Sequence, residues 1–337
     1  MKKLFLSLAV FVMAICANAQ TNQYFWYQGN LMMGNPIAQI DSVTFGEGEP
    51  ADTLHILLSR TIIKTVHDTV YVTIHDTVCP NDLPDGALPG EFSVSATKKV
   101  RFSKGNLQYQ ASTDTWRFAE HQLDTVGVIN ANISDNYTGW IDCFGWGTGN
   151  NPTKTNTNYY DYTTFVDWGE NKISNGGDII NMWRTLTNDE WNYLFYERDN
   201  AAGLFGLGNV EGMNGLILLP DLWNIPDGVL FSASTTKGLV DQGDYFTNSK
   251  GDNFTHNFFT LSQWSLMESA GAIFLPAAGA RLGQKVYDVN SRGYYWSASP
   301  SDSGGAYNLR FYSEELTTKD SSGRSSGITI RLVQDVE

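Results

Sequence analysis

The feature that most constrains this chain is the alternation of its last forty or so residues. Three segments carry it: 293–299 (Gly293-Tyr294-Tyr295-Trp296-Ser297-Ala298-Ser299), 306–311 (Ala306-Tyr307-Asn308-Leu309-Arg310-Phe311) and 327–333 (Gly327-Ile328-Thr329-Ile330-Arg331-Leu332-Val333). A period of two is the signature of a strand with one buried face. In the middle segment it predicts Leu309 and Phe311 on the packed face and Asn308, Arg310 and Tyr312 on the open one. The two stretches between the segments are rich in Ser, Asp, Gly, Thr and Arg, and read as loops. Polar loops held by a rigid sheet suit a binding surface, because contact groups are then positioned by elements that fold without them.

The other end of the chain reads as an export signal. Lys2 and Lys3 precede an apolar run over 4–15, and Ala17-Asn18-Ala19 forms a small-residue cleavage site before Gln20. The run is shorter than the ~20 apolar residues of a spanning helix, and no later segment approaches that length. The expectation is an exported protein with no membrane span, placed outside the cell, on its surface or in the periplasm. Its formal charge of −14 becomes −16 once the two leader lysines are removed, which disfavours nucleic acid and anionic lipid as partners. Two cysteines remain after cleavage, Cys79 and Cys143. In an oxidising compartment they are either a disulfide or two unrelated thiols.

Four regions follow from composition: a signal peptide over 1–19, a small β-rich element over 20–50, an extended stalk and linker over 51–90, and one main domain over 91–337. The stalk reading rests on β-branched, alternating residues in which His-Asp-Thr-Val occurs twice, from His67 and from His75. Along a strand that spacing holds the two rings roughly 26 Å apart, too far for one metal ion. Within the main domain, Thr187 followed by Glu190 forms a capping box that opens a helix burying Trp191, Leu194 and Phe195. A second helix is predicted over 261–270, and buried strands over 215–220 and 272–276. Few helices, many short strands and long irregular loops indicate an α+β fold.

Five blocks of the main domain carry a family resemblance. They are Trp183-Arg184-Thr185-Leu186-Thr187-Asn188-Asp189-Glu190-Trp191, Leu218-Leu219-Pro220-Asp221, Phe274-Leu275-Pro276-Ala277-Ala278-Gly279, Gly293-Tyr294-Tyr295-Trp296-Ser297 and Ile330-Arg331-Leu332-Val333. Their order over 91–334 resembles the C-type-lectin-like domains related to the formylglycine-generating enzyme. It is similar in particular to the secreted Gram-negative branch that includes the variable proteins of diversity-generating retroelements and the major paralogous domain family. The resemblance implies a C-type-lectin-like fold of short twisted strands whose last strands and loops form the ligand-binding face. In the variable proteins the diversity would be concentrated in the C-terminal loops. The paired late cysteines of the enzymatic relatives are absent after Cys143, as are the motifs of calcium-dependent sugar binding.

The functional expectation is an exported, non-enzymatic adhesin or receptor-like protein that binds a protein or glycan. Its expected contacts are Ser301, Asp302, Ser303, Asn308, Arg310, Tyr312, Ser313, Asp320 and Arg324, with Arg310 and Tyr312 dominant because these residue types dominate hot spots. Alternatives from other classes are a degenerate oxidase-like or carbohydrate-active enzyme and a structural surface-coat protein.

No catalytic residue is assigned and no cofactor is expected, apart from a possible structural calcium at Asp241, Asp244 and Asp252. Gly323-Arg324-Ser325-Ser326-Gly327 fits the pattern of a hydrolase elbow, yet a strand rather than a helix is predicted after it. Tyr159, Tyr160 and Tyr162 sit in an Asn/Thr-rich loop and are expected to be exposed, whereas Trp183, Trp191 and Trp296 are expected in the core. Asp-(Ser/Thr)-aliphatic triplets such as Asp68-Thr69-Val70 and Asp76-Thr77-Val78 resemble the O-glycan acceptor of some Gram-negative anaerobes and cluster in the stalk.

Overall fold

The computed structural model describes residues 83–233, 254–301 and 304–336 in full, together with the backbone of strands between 22 and 70 and of Tyr245–Thr247. The chain divides into two units, Met1–Asp82 and Leu83–Glu337. In the first, Asn22–Tyr27 pairs antiparallel with Asn30–Pro36, and Ser42–Thr44 pairs with His55–Leu58. His55–Leu58 also pairs with Thr61–Ile62, and Thr65–Val66 with Thr69–Val70. The chain therefore turns back on itself within the segment expected to run extended. β-branched residues favour paired strands as much as lone extended ones, so composition alone does not separate the two.

The second unit mixes two short helices with many short strands in small sheets. Its beginning and end are joined: Val333–Asp335 pairs antiparallel with Lys99–Phe102, which pairs with Phe92–Ser93. A second sheet runs in the order Phe258–Phe259, Phe205–Val210, Met213–Leu218, Ile273–Pro276. The third carries the C-terminal alternation and is built from Arg292–Pro300, Gly305–Tyr312 and Glu315–Gly323 as an antiparallel meander, with Tyr245–Thr247 on its outer edge.

The first helix, Asn188–Asn192, has the predicted capping box. Thr187 Oγ1 accepts from the Glu190 N–H at 3.2 Å, and Glu190 Oε2 accepts from the Thr187 N–H at 2.8 Å. A single π turn, Tyr193–Glu197, extends it and keeps Leu194 and Phe195 in the core beside Trp191. The second helix, Leu261–Ser269, begins with a box of the same kind between Thr260 and Gln263, a pairing the sequence reading passed over. Trp183, Trp191 and Trp296 are buried as expected.

Three apolar clusters result. One face of the C-terminal sheet gives Tyr295, Leu309, Phe311 and Leu316 to the cluster that also holds Phe102, Trp191 and Leu275. The opposite face gives Tyr294, Trp296 and Ala306 to a tryptophan-rich cluster with Trp146, Trp168 and Trp183. The third lies under the second helix, around Trp264, Met267 and Phe274. Among the described residues no helix is long and apolar enough to cross a membrane.

Two expectations about the C-terminal segments change. The second polar stretch is largely strand, since Glu315–Gly323 pairs along most of Gly305–Tyr312, and only Ser313 and Glu314 form the turn. The 327–333 segment forms single bridges, including Phe144 with Ile328 and Tyr295 with Thr329. Its alternation is nonetheless used: Ile328, Ile330 and Leu332 enter the tryptophan-rich cluster. Burial set the pattern there, not membership of a regular sheet.

Candidate functional site

The two faces of Gly305–Tyr312 follow the predicted register in part. Leu309 and Phe311 are buried, and Arg310 and Tyr312 are half-buried on the other face. Asn308 departs from it, being fully buried instead of open. Its Nδ2 donates to the Asp320 carbonyl at 3.2 Å and to Ser322 Oγ at 3.1 Å. Its face is already covered at this point, because its cross-strand partner Trp296 and the nearby Ala306 belong to the tryptophan-rich cluster. A bulge in the pairing with the third strand lies beside it: Asn308 opposes Asp320 but Arg310 opposes Thr317, so an extra residue of that strand lies alongside Leu309. Both amide bonds go to the regularly paired side of the bulge, at Asp320 and Ser322.

The predicted contact residues separate into two groups. Arg310, Tyr312 and Ser313 lie at the turn end of the sheet; Ser301 and Arg324 lie at the opposite end. Seven residues of strand separate Tyr312 from Gly305, about 24 Å at ~3.4 Å per residue. Asp302 and Ser303 lie outside the described residues, as do Asp241, Asp244, Asp252 and Cys79. Cys143 is a buried free thiol, its ionisation suppressed first by burial and then by the neighbouring Asp142 carboxylate.

At the turn end the charged groups satisfy one another. Arg310 Nη2 donates to Glu315 Oε1 at 2.6 Å, and Arg310 Nε stands 3.4 Å from Asp320 Oδ1. Tyr312 Oη donates to the other oxygen of Glu315 at 2.7 Å, and Arg292 lies over the Tyr312 ring at 5.0 Å. Across the first strand Tyr294 Oη donates to Asp288 Oδ2 at 3.0 Å. Burial raises the Asp320 carboxyl above the ordinary value, against the opposing pull of the Arg310 charge and the Asn308 hydrogen bond. Glu315, Arg292 and Asp288 were not singled out in the sequence. The alternation marked the face, but nothing in it named the carboxylates that occupy the arginine.

The opposite end is a composite of segments far apart in sequence. Ser301 N donates to the Gly305 carbonyl at 3.1 Å, and Ser301 Oγ and Ser321 Oγ are 2.5 Å apart. Onto this end folds the 154–162 loop. Ser325 Oγ donates to the Thr157 carbonyl at 3.0 Å, which makes Ser325 a buried structural hydroxyl and not the exposed nucleophile of a hydrolase elbow. Arg324 Nε donates to the Gly305 carbonyl at 2.9 Å and Nη1 to the Tyr162 carbonyl at 3.3 Å, while its guanidinium lies 4.6 Å over the Trp146 ring.

Within the loop, Asn158 caps a 3₁₀ turn, Tyr159–Asp161, by accepting from the Tyr160 N–H at 3.3 Å. The Asp161 carboxylate accepts from Asn158 Nδ2 at 3.1 Å and from Asn156 Nδ2, and its carbonyl accepts from Lys154 Nζ at 2.6 Å. The Tyr159 and Tyr160 rings are 4.2 Å apart at 39°, and Tyr160 is 66% exposed. Tyr162, expected outside, is buried: its ring packs on Gly145, its hydroxyl donates to the Asn156 carbonyl at 2.9 Å, and burial pushes its phenol up to about 12. Gly145 has no side chain to keep the ring out.

Comparison of the chain with protein-family models, with curated proteins and with solved structures gives no match. The composite end therefore stands on its own geometry. Among the described residues, no group of three or more His, Cys, Asp or Glu side chains is arranged to hold a metal ion.

Proposed function

We propose that this chain is an exported ligand-binding protein of adhesin or receptor type. Its second unit is a C-type-lectin-like domain, and ligand meets the end of the C-terminal sheet where the 154–162 loop joins Ser301, Ser321 and Arg324. The observation that carries this reading is the pinning of those polar and aromatic segments by Ser325 and Arg324. Two loops distant in sequence become one rigid surface, which is what low-cost recognition requires. Asp142, Cys143 and Tyr295 are fully buried, and desolvation in the core is the first cause of their raised values. Such groups support packing, and they do not converge in an open cleft as an acid–base pair would.

The test is a combined glycan and protein array probed with the mature chain. A hit should be lost in Ser321→Trp, which fills the composite end, and retained in Arg292→Ala at the turn end. The opposite pattern would move the binding face to the Arg310 cluster.

A further inference from the structure

We propose that Tyr160 and the Asp161 carboxylate form a subsite for a neutral pyranose sugar, an inference that rests on the composite end being the binding face. The aromatic ring is backed from behind. Gly304 lies against Tyr159, where a Cβ would come within 2.3 Å of the ring, and Tyr159 in turn supports Tyr160. Tyr160 is the outer member of this stack and is 66% exposed, so its ring is held at little further entropic cost. A pyranose has one face of C–H groups suited to an aromatic ring, and a rim of hydroxyls that needs hydrogen-bonding partners.

A sugar needs an acceptor for its hydroxyl rim as well as a ring. Asp161 follows Tyr160 directly, and its two carboxylate oxygens are oriented by Asn156 and Asn158. A carboxylate has about four lone-pair sites, so each oxygen keeps capacity for a sugar hydroxyl after accepting one amide hydrogen. Neighbouring hydroxyls on a pyranose present two donors at the spacing of the two oxygens of a carboxylate. An acceptor whose orientation is already fixed loses less on binding than a free side chain.

The composition around the ring favours a sugar over a protein partner. Among the described residues of 150–165 and 299–326, Tyr160 is the only large apolar side chain that is strongly exposed; around it stand Asn156, Thr157 and Asn158. A protein interface needs a desolvated apolar centre of several side chains. One aromatic ring set among amides and hydroxyls has the composition of a sugar subsite instead. The formal charge of −16 on the mature chain disfavours sialylated or sulfated glycans and favours a neutral sugar.

The experiment titrates the mature chain with neutral gluco-, galacto- and manno-configured disaccharides, following saturation-transfer NMR for binding and thermal melts for folding. Binding of at least one, weakened about tenfold or more by Tyr160→Ala and changed less than about threefold by Tyr160→Phe, is expected, because the ring face and not the hydroxyl makes the contact. Asp161→Ala should weaken the same disaccharide with its melt close to wild type. Sugar binding unchanged in Tyr160→Ala would overturn the subsite. A protein ligand lost in Ser321→Trp, with no disaccharide bound, would overturn the sugar assignment and leave the binding face standing. If neither sugar nor protein binding responds to any variant at this end, both readings fall.

Discussion

Tyr159 lies on Gly304: the glycine has φ +86°, and a Cβ there would meet the Tyr159 ring at 2.3 Å. Both facts act against any side chain at this position, one through backbone strain and one through contact. Gly304→Ala should therefore destabilise the protein by roughly 1–3 kcal/mol and free the 154–162 loop. Urea denaturation measures the first effect, and faster amide exchange confined to 154–162 reports the second. A variant as stable as wild type would show that the loop does not depend on this contact.

Phe311→Ala should cost about 3–5 kcal/mol, since the ring is fully buried and stacks at 6.3 Å on Tyr295. Arg310→Ala one residue earlier acts by another route. It leaves Glu315 and Asp320 without their cation in a half-buried setting, at a cost of about 1–3 kcal/mol. Replacing Glu315 by Gln in the Arg310→Ala background should recover part of that loss. A double-mutant cycle with no coupling would refute the ion pair.

Asp320 makes stability depend on pH with a definite sign. Its folded carboxyl titrates above the unfolded value of 3.8, so between the two values the native state holds more protons. Stability from this group is full below 3.8 and declines as pH rises through the raised folded value. Asp320→Asn removes the titration. Relative to wild type the variant should gain stability between acid and neutral pH, and the change in that difference should be confined to this window. Denaturation midpoints of both proteins from pH 3 to pH 8 check it, and a difference independent of pH would contradict the shift.

Cys143 should be inert until the protein unfolds. It is fully buried and its thiol is pushed up by burial and by Asp142, so little thiolate exists to react. Iodoacetamide without reductant should leave Cys143 unmodified in native protein and modify it in denaturant, read by peptide mass. Failure to label in denaturant until a reductant is added would show a disulfide instead.

The sequence carried the parts of the fold that depend on local chemistry. Thr187 and Glu190 mark a helix start because the two side chains answer each other's backbone groups three residues apart, and Leu309 and Phe311 mark a buried face by their period. Asn308 lies on a face that is covered at Trp296 and half-open at Arg310, and a strand's period cannot show where along one face the packing stops. Glu315–Gly323 was hidden for a related reason. It is a strand made mainly of Thr, Ser, Asp and Gly, held by its neighbour's ladder and not by its own propensity. At the site, Tyr160 could be nominated from its Asn/Thr-rich surroundings. Its support by Tyr159 and Gly304 joins residues some 145 positions apart, and no short motif encodes that.

The pairing of Val333–Asp335 with Lys99–Phe102 also bears on how the protein is made. A ribosome delivers Phe92–Ser93 and Lys99–Phe102 early, but their third partner emerges more than two hundred residues later. Until then Phe102 and Val100 lack the strand that seals them, and Arg184 lacks both the Val333 backbone and the Asp335 carboxylate it finally holds. The unit cannot complete itself from its first half outward. The Val333–Asp335 strand serves as a latch, and a chain that stopped before Val333 would be left open for proteolysis to find.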